Sequence, residues 1–125
     1  MTWLHAAVIA AVTCGAYAGS FDGAFVSDDH LSVARNEVIQ TLDLGRIFST
    51  FDDANYIPVK VLTIAVDYQL WGLAPAGYHL TNLLIHVGCA LLVYALLVRL
   101  GLARSAACLA ALVWAVHPLQ VESVA

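Results

Sequence analysis

Two long stretches of this chain lack any formally charged residue. Residues 2–21 form a run of 20 such residues, and residues 80–98 form a run of 19. Since an α-helix rises about 1.5 Å per residue, each run is long enough to cross a hydrocarbon layer about 30 Å thick. A third apolar stretch, residues 105–121, follows Arg104 and contains Pro118 near its end. The pattern predicts an all-α membrane protein with about three transmembrane helices.

The composition agrees with a membrane protein. Hydrophobic residues make up 62% of the chain and charged residues only 11%, whereas about 25% of the residues in soluble domains are charged. Too few polar residues are present to cover a soluble core. The net charge of −4 and the lack of a basic cluster argue against a nucleic-acid partner, because DNA and RNA binding depends on cations that neutralise phosphates.

The run at residues 2–21 could also be a cleaved signal peptide. Such a peptide begins with positively charged residues before a shorter apolar segment. This chain has no Lys or Arg before Asp22. A retained transmembrane helix is therefore the favoured interpretation.

The three cysteines, Cys14, Cys89 and Cys108, all lie inside apolar runs. Their spacing matches neither a disulfide framework nor a metal site. We expect them to be buried as small hydrophobic side chains.

The connector at residues 99–104 indicates the orientation in the membrane. It is short and carries Arg99 and Arg104, and short loops rich in Lys and Arg stay in the cytoplasm. The first loop, residues 22–77, and the tail after His117 are then extracytoplasmic. Eight of the nine acidic residues lie in that loop, which makes it the polar part of the protein.

The first loop is predicted to contain amphipathic helices. Asp28 and Asp29 could cap a helix that runs through Thr41, and residues 43–55 are typical of a turn-rich stretch. Residues 59–71 are apolar but too short and too charged to cross a membrane, which is typical of a helix that lies in the interface.

Several short motifs follow one another in a fixed order along the chain. They are Phe25-Val-Ser-Asp-Asp29, Arg35-Asn36, Asn55-Tyr-Ile-Pro58, Asp67-Tyr68, Gly77-Tyr-His-Leu-Thr-Asn82 with His86, and His117-Pro-Leu-Gln-Val-Glu122. The ordered set resembles the amino-terminal region of the GT-C membrane glycosyltransferases. It is most similar to the protein O-mannosyltransferase-like branch that carries tetratricopeptide repeats at its carboxyl end. The resemblance covers roughly residues 18–125.

The resemblance implies that residues 1–125 are the amino-terminal part of a polytopic transmembrane domain, in a bacterial inner membrane. Enzymes of this family take a sugar from a polyprenyl-phosphate donor and transfer it to a protein or glycan acceptor. Their acidic pair in the first loop is catalytic, so Asp28 or Asp29 would be the general base or a ligand of a divalent cation. Both roles suit paired carboxylates at a membrane surface. The alternative is that the pair only caps a helix.

The resemblance and the predicted topology suggest four substrate-binding residues. Lys60 could bind the donor phosphate, although relatives carry Arg directly before the proline where this chain has Ile57. His79 heads a polar helix face, whose alternative role is hydrogen bonding between helices. His117 and Glu122 lie at the outer end of the third apolar stretch, on the same side as the acidic pair; alternatively, His117 and the proline after it only end a helix.

The predicted function is therefore the amino-terminal portion of a polyprenyl-phosphate-sugar-dependent glycosyltransferase, which we expect to be inactive as a fragment. The alternative is a non-enzymatic membrane anchor for a tetratricopeptide-repeat domain. A transporter is less well supported, because the acidic residues cluster in the loop and not within the apolar runs.

The predicted topology can be tested with single cysteines at Ser49 and Ser105. A membrane-impermeant thiol reagent applied from outside should label a cysteine at position 49 and leave one at position 105 unlabelled, because positive charge keeps the connector inside. Labelling at position 105 but not at position 49 would reverse the topology.

Overall fold

The computed structural model describes residues 3–19, 36–49 and 56–124, and within these ranges every regular element is helical. The elements are α1 (Trp3–Ala16), α2 (Glu37–Thr41), α3 (Leu44–Ser49), α4 (Pro58–Trp71), α5 (Pro75–Arg99), α6 (Arg104–Ala115), a 3₁₀ helix (Pro118–Gln120) and α7 (Val121–Val124). The all-α prediction is thus confirmed for the described residues. The chain divides into two compact units, one from Met1–Asp22 with His79–Ala125 and one from Gly23–Tyr78.

Among the described helices, α5 alone is long and apolar enough to cross a membrane. Its 25 residues span about 38 Å at 1.5 Å per residue. Only 22% of its most apolar window is buried within the chain, so most of that surface faces outward. The helix begins earlier than predicted, at Pro75, because proline is well tolerated in a first helical turn.

The other two predicted spans correspond to shorter helices. α1 has 14 residues and α6 has 12, which gives lengths of about 21 Å and 18 Å. α6 ends before Pro118, since the residue before a proline is disfavoured in the α region, and His117 is extended at φ −63° and ψ 135°. Three membrane crossings therefore stay a prediction.

The core of the first unit lies where α1, α5 and α6 meet. Ala107 and Ala111 of α6 are fully buried in one cluster with Ile9 of α1 and Tyr94 of α5. Small side chains at such positions let helix backbones approach closely. The Nδ1 atom of His5 lies 3.0 Å from the Tyr94 hydroxyl, which adds a hydrogen bond between α1 and α5.

The second unit is built from α2, α3 and α4. Ile39, Ile47, Val61 and Ala65 form its buried cluster. The predicted helix at residues 59–71 is confirmed as α4, and its location in a membrane interface stays a prediction. The turn-rich interpretation of residues 43–55 is wrong for α3, because Asp43 caps that helix by accepting a hydrogen bond from the Arg46 amide at 3.1 Å.

The predicted helix from Asp28 through Thr41 is not continuous. Asn36 is extended at φ −98° and ψ 101°, and its side chain accepts a hydrogen bond from the Val38 amide. Asn36 is therefore the residue that caps α2. Leu42 ends α2 in the left-handed region at φ 50°. Residues 28–35 lie outside the described residues.

The small residues of α6 can be tested by overpacking. Ala111→Leu should lower the free energy of unfolding by about 1–3 kcal/mol, because added methylenes in a filled core force the helices apart. Ala110→Leu is the matched control, since Ala110 is exposed on the same helix. Thermal unfolding in detergent measures both variants. Equal stability of the two would contradict the packing described for α6.

Candidate functional site

The predicted catalytic pair lies outside the part of the chain that the structure describes. Asp28 and Asp29 thus stay predictions, both as base and as metal ligands. Within the described residues no group of three or more His, Cys, Asp or Glu side chains could hold a metal ion. Glu122 lies in α7, and its role in substrate binding also stays a prediction.

Two of the predicted substrate-binding residues are exposed. Lys60 projects from the first turn of α4. His117 is also exposed, and its Nδ1 atom accepts a hydrogen bond from the Leu119 amide at 3.3 Å. This contact caps the start of the 3₁₀ helix, a role different from the alternative interpretation, in which His117 and Pro118 only end a helix. Because Nδ1 is occupied, a substrate would have to approach Nε2.

The polar face of α5 contains His79, Asn82 and His86. Their spacing of three and four residues puts them on one side of the helix. Both ring nitrogens of His79 are buried and make no hydrogen bond to any residue that the structure describes. His86 is also buried, with 6% of its surface exposed. The two histidines of this face differ, because the ring of His86 has a hydrogen-bond partner, the Ala115 carbonyl.

The carbonyl of Ala115 joins three parts of the first unit. It lies in the last turn of α6, where the carbonyls have no partner within the helix. The Tyr17 hydroxyl, just after α1, donates to this oxygen at 3.0 Å, and Nε2 of His86 lies 2.8 Å from it. For His86 the alternative prediction, hydrogen bonding between helices, is thus confirmed.

Two aromatic rings hold the imidazole of His86. Trp114 stacks on it with a centroid distance of 5.1 Å and an interplanar angle of 27°, and Tyr17 meets it edge-on at 5.4 Å and 84°. A carbonyl oxygen can only accept, so Nε2 carries the proton. In the neutral ring Nδ1 is then an acceptor, and it pairs with no other described residue.

A cavity of about 250 Å³ lies beside this imidazole. Its described lining residues are Asn82, Ile85, His86 and Cys89 of α5, Trp114 of α6, Gln120 of the 3₁₀ helix, and Val124 of α7. None of these residues is charged. Cys89 is exposed, as is Cys14, whereas Cys108 is buried. The prediction that all three cysteines are buried is therefore wrong for two of them.

The sequence predicted the polar face of α5, which contains His79, Asn82 and His86. It did not predict that Tyr17, Trp114 and Gln120 lie next to that face. Tyr17 and His86 are 98 and 29 residues from Ala115 along the chain. No local spacing connects residues so far apart. The ordered His117–Glu122 motif does contain Gln120, and that motif was the available signal.

Comparison with known proteins relates the chain to named enzymes. It is 35% identical to protein O-mannosyl-transferase TMTC4 of Homo sapiens, over 94% of this chain and 19% of that protein. It is 30% identical to protein O-mannosyl-transferase TMTC1 of Homo sapiens, over 96% of this chain and 15% of that protein. The chain therefore resembles, over most of its own length, proteins that are named protein O-mannosyl-transferases.

A relative in Caenorhabditis elegans, protein O-mannosyl-transferase F38B6.6, is 31% identical over 87% of this chain and 18% of its own length. The chain thus spans between 15% and 19% of the length of these three relatives. The resemblance to protein O-mannosyltransferases that was inferred from the ordered motifs is thus confirmed as sequence similarity. No family profile and no solved structure matches the chain.

The shared carbonyl predicts that Tyr17 and His86 are energetically coupled. Tyr17→Phe or His86→Phe alone leaves one donor on the Ala115 oxygen, whereas the double variant leaves a buried acceptor unpaired, which costs about 1–3 kcal/mol. The double variant should therefore lose more unfolding free energy than the sum of the single losses. A double-mutant cycle in detergent measures this difference, and strict additivity would contradict the shared contact.

Proposed function

We propose that this chain is part of a membrane glycosyltransferase that moves mannose from a polyprenyl-phosphate donor to a hydroxyl group of a protein or glycan acceptor. The similarity over 94% of the chain to a protein named as a protein O-mannosyl-transferase carries the proposal. Those relatives are much longer, so the proposed activity belongs to the protein that contains this chain.

The proposed protein is a multi-pass one in a bacterial inner membrane. The length of α5 and its outward-facing apolar surface support a membrane crossing. Arg99 and Arg104 flank the following connector, in line with a cytoplasmic location for it. Residues 22–77 are then extracytoplasmic, where a lipid-linked donor and a secreted acceptor can meet.

In the proposed reaction, Asp28 or Asp29 takes the proton from the acceptor hydroxyl. The hydroxyl oxygen then forms a bond to the anomeric carbon, and the bond from that carbon to the phosphate oxygen breaks. The polyprenyl phosphate leaves with the electron pair. General-base catalysis of this kind contributes about 10²–10⁴-fold in rate.

The remaining candidates have supporting roles in this proposal. Lys60 is exposed and cationic, so it can pair with the donor phosphate. His79, His117 and Glu122 are polar groups that can position the phosphate or the acceptor. A divalent cation held by the two aspartates would neutralise the donor phosphate when bound, which is a second role for the same pair.

The test measures mannose transfer by the protein that contains this chain. Asp28→Asn and Asp29→Asn are made singly, and at least one should lower kcat by about 10²–10⁴-fold. Glu122→Gln should cause a milder loss. Asp43→Asn is the matched control, because its amide oxygen can still cap α3 while the same charge is removed from the same loop.

Membrane insertion and thermal unfolding of each variant distinguish chemistry from folding. Loss of an exposed helix cap lowers the free energy of unfolding by only about 1 kcal/mol, so both aspartate variants should insert and fold. If both transfer mannose at the wild-type rate, the pair has no catalytic role. A wild-type protein that binds partner proteins but transfers no sugar would favour the membrane-anchor alternative.

A further inference from the structure

The cavity beside His86 combines polar groups with apolar walls. Asn82 and Gln120 each carry a carboxamide, which both donates and accepts hydrogen bonds. Neither amide bonds to another described residue. Ile85, Trp114 and Val124 supply apolar surface between them. Such a wall suits a ligand that has C–H faces and several hydrogen-bonding groups on its rim.

The orientation of His86 restricts the ligand further. Its Nε2 atom is occupied by the Ala115 carbonyl at 2.8 Å, and Trp114 and Tyr17 fix the ring plane. With the Nε2 proton donated to this carbonyl, the tautomer that carries no second proton offers Nδ1 as a hydrogen-bond acceptor. A hydroxyl group can donate to this atom, whereas the oxygens of a phosphate dianion cannot. No described lining residue carries a positive charge to attract an anion.

The volume of the cavity indicates a ligand of one ring. A cavity of about 150 Å³ accommodates benzene, and pockets for drug-sized ligands begin near 300 Å³. The volume of about 250 Å³ is intermediate, and it matches one six-membered ring with its hydroxyl groups.

We propose that this cavity binds a single neutral monosaccharide ring, with one hydroxyl donating to Nδ1 of His86 and others bonding to Asn82 and Gln120. The identity of the ring as the mannose of the donor rests on the proposed function. The donor phosphate then lies outside this cavity. His86 is a binding residue in this proposal and takes no proton in the reaction.

Cys89 provides a native probe, because it lines the cavity and its thiol is exposed. The protein in detergent is treated with N-ethylmaleimide, and mass spectrometry measures the alkylation rate of each cysteine. Millimolar methyl α-mannopyranoside should slow alkylation of Cys89. Cys14 is exposed in the same chain but does not line the cavity, so its rate should stay unchanged.

Two variants identify the groups that hold the ring. Asn82→Leu and Gln120→Leu should each require roughly tenfold more mannoside for the same protection of Cys89, the effect expected when a ligand hydrogen bond is lost. Ser105→Leu is the control, since Ser105 is exposed on α6 and does not line the cavity. It should leave the protection as in the wild type.

Four outcomes would overturn the proposal: no reaction of Cys89 with the reagent, no protection by mannoside, equal protection by inorganic phosphate, or unchanged protection in both leucine variants. In transfer assays, Asn82→Leu should raise KM for polyprenyl-phosphate mannose with little change in kcat. An increase in KM for the acceptor alone would overturn the assignment to the donor sugar.

This test is independent of the aspartate test. If Asp28→Asn and Asp29→Asn both transfer normally while mannoside still protects Cys89, the catalytic proposal fails and the sugar site stands. If mannoside gives no protection while an aspartate variant loses transfer, the sugar site fails and the proposed function stands.

Discussion

The packing of the first unit depends on the two hydrogen bonds that the carbonyl oxygen of Ala115 accepts. A helix end leaves its last carbonyls unpaired, and in an apolar setting an unpaired carbonyl costs free energy. Tyr17 and His86 together satisfy this oxygen. Their bonds connect the end of α1, the middle of α5 and the end of α6, and they also set the tautomer of the imidazole that faces the cavity.

Small residues and helix length determine the rest of this unit. Ala107, Ala111 and Ala115 of α6 are fully buried in one cluster with Ile9 of α1 and Tyr94 of α5, and their small side chains let the helix backbones approach closely. α5 is the described helix with the length and apolar surface for a membrane crossing. The polar cavity lies near the middle of α5, between Asn82 and Cys89. The end of α6 and the segment after it contribute Trp114 and Gln120 to its wall.

The class of reaction and the location of a sugar site rest on different observations. Similarity to proteins named as protein O-mannosyl-transferases supports the class of reaction, while the cavity chemistry concerns where a sugar ring binds. The proposed base and the proposed sugar site involve different residues, so each can fail without the other. Asp28 and Asp29 rest on the ordered motifs, whereas Asn82, His86 and Gln120 rest on geometry.

The sequence by itself determined the helical class, the apolar run that becomes α5, the helix α4 and the similarity to proteins named protein O-mannosyl-transferases. These follow from local composition and motif order, which need no knowledge of distant contacts. It did not predict that Asn36 caps the helix that begins at Glu37, because an isolated asparagine can be capping or helical depending on its surroundings. Only the tertiary structure decided that His86 pairs with Ala115 beside Tyr17 and Trp114, because hydrogen bonds between residues 29 and 98 positions apart leave no periodic trace in the chain.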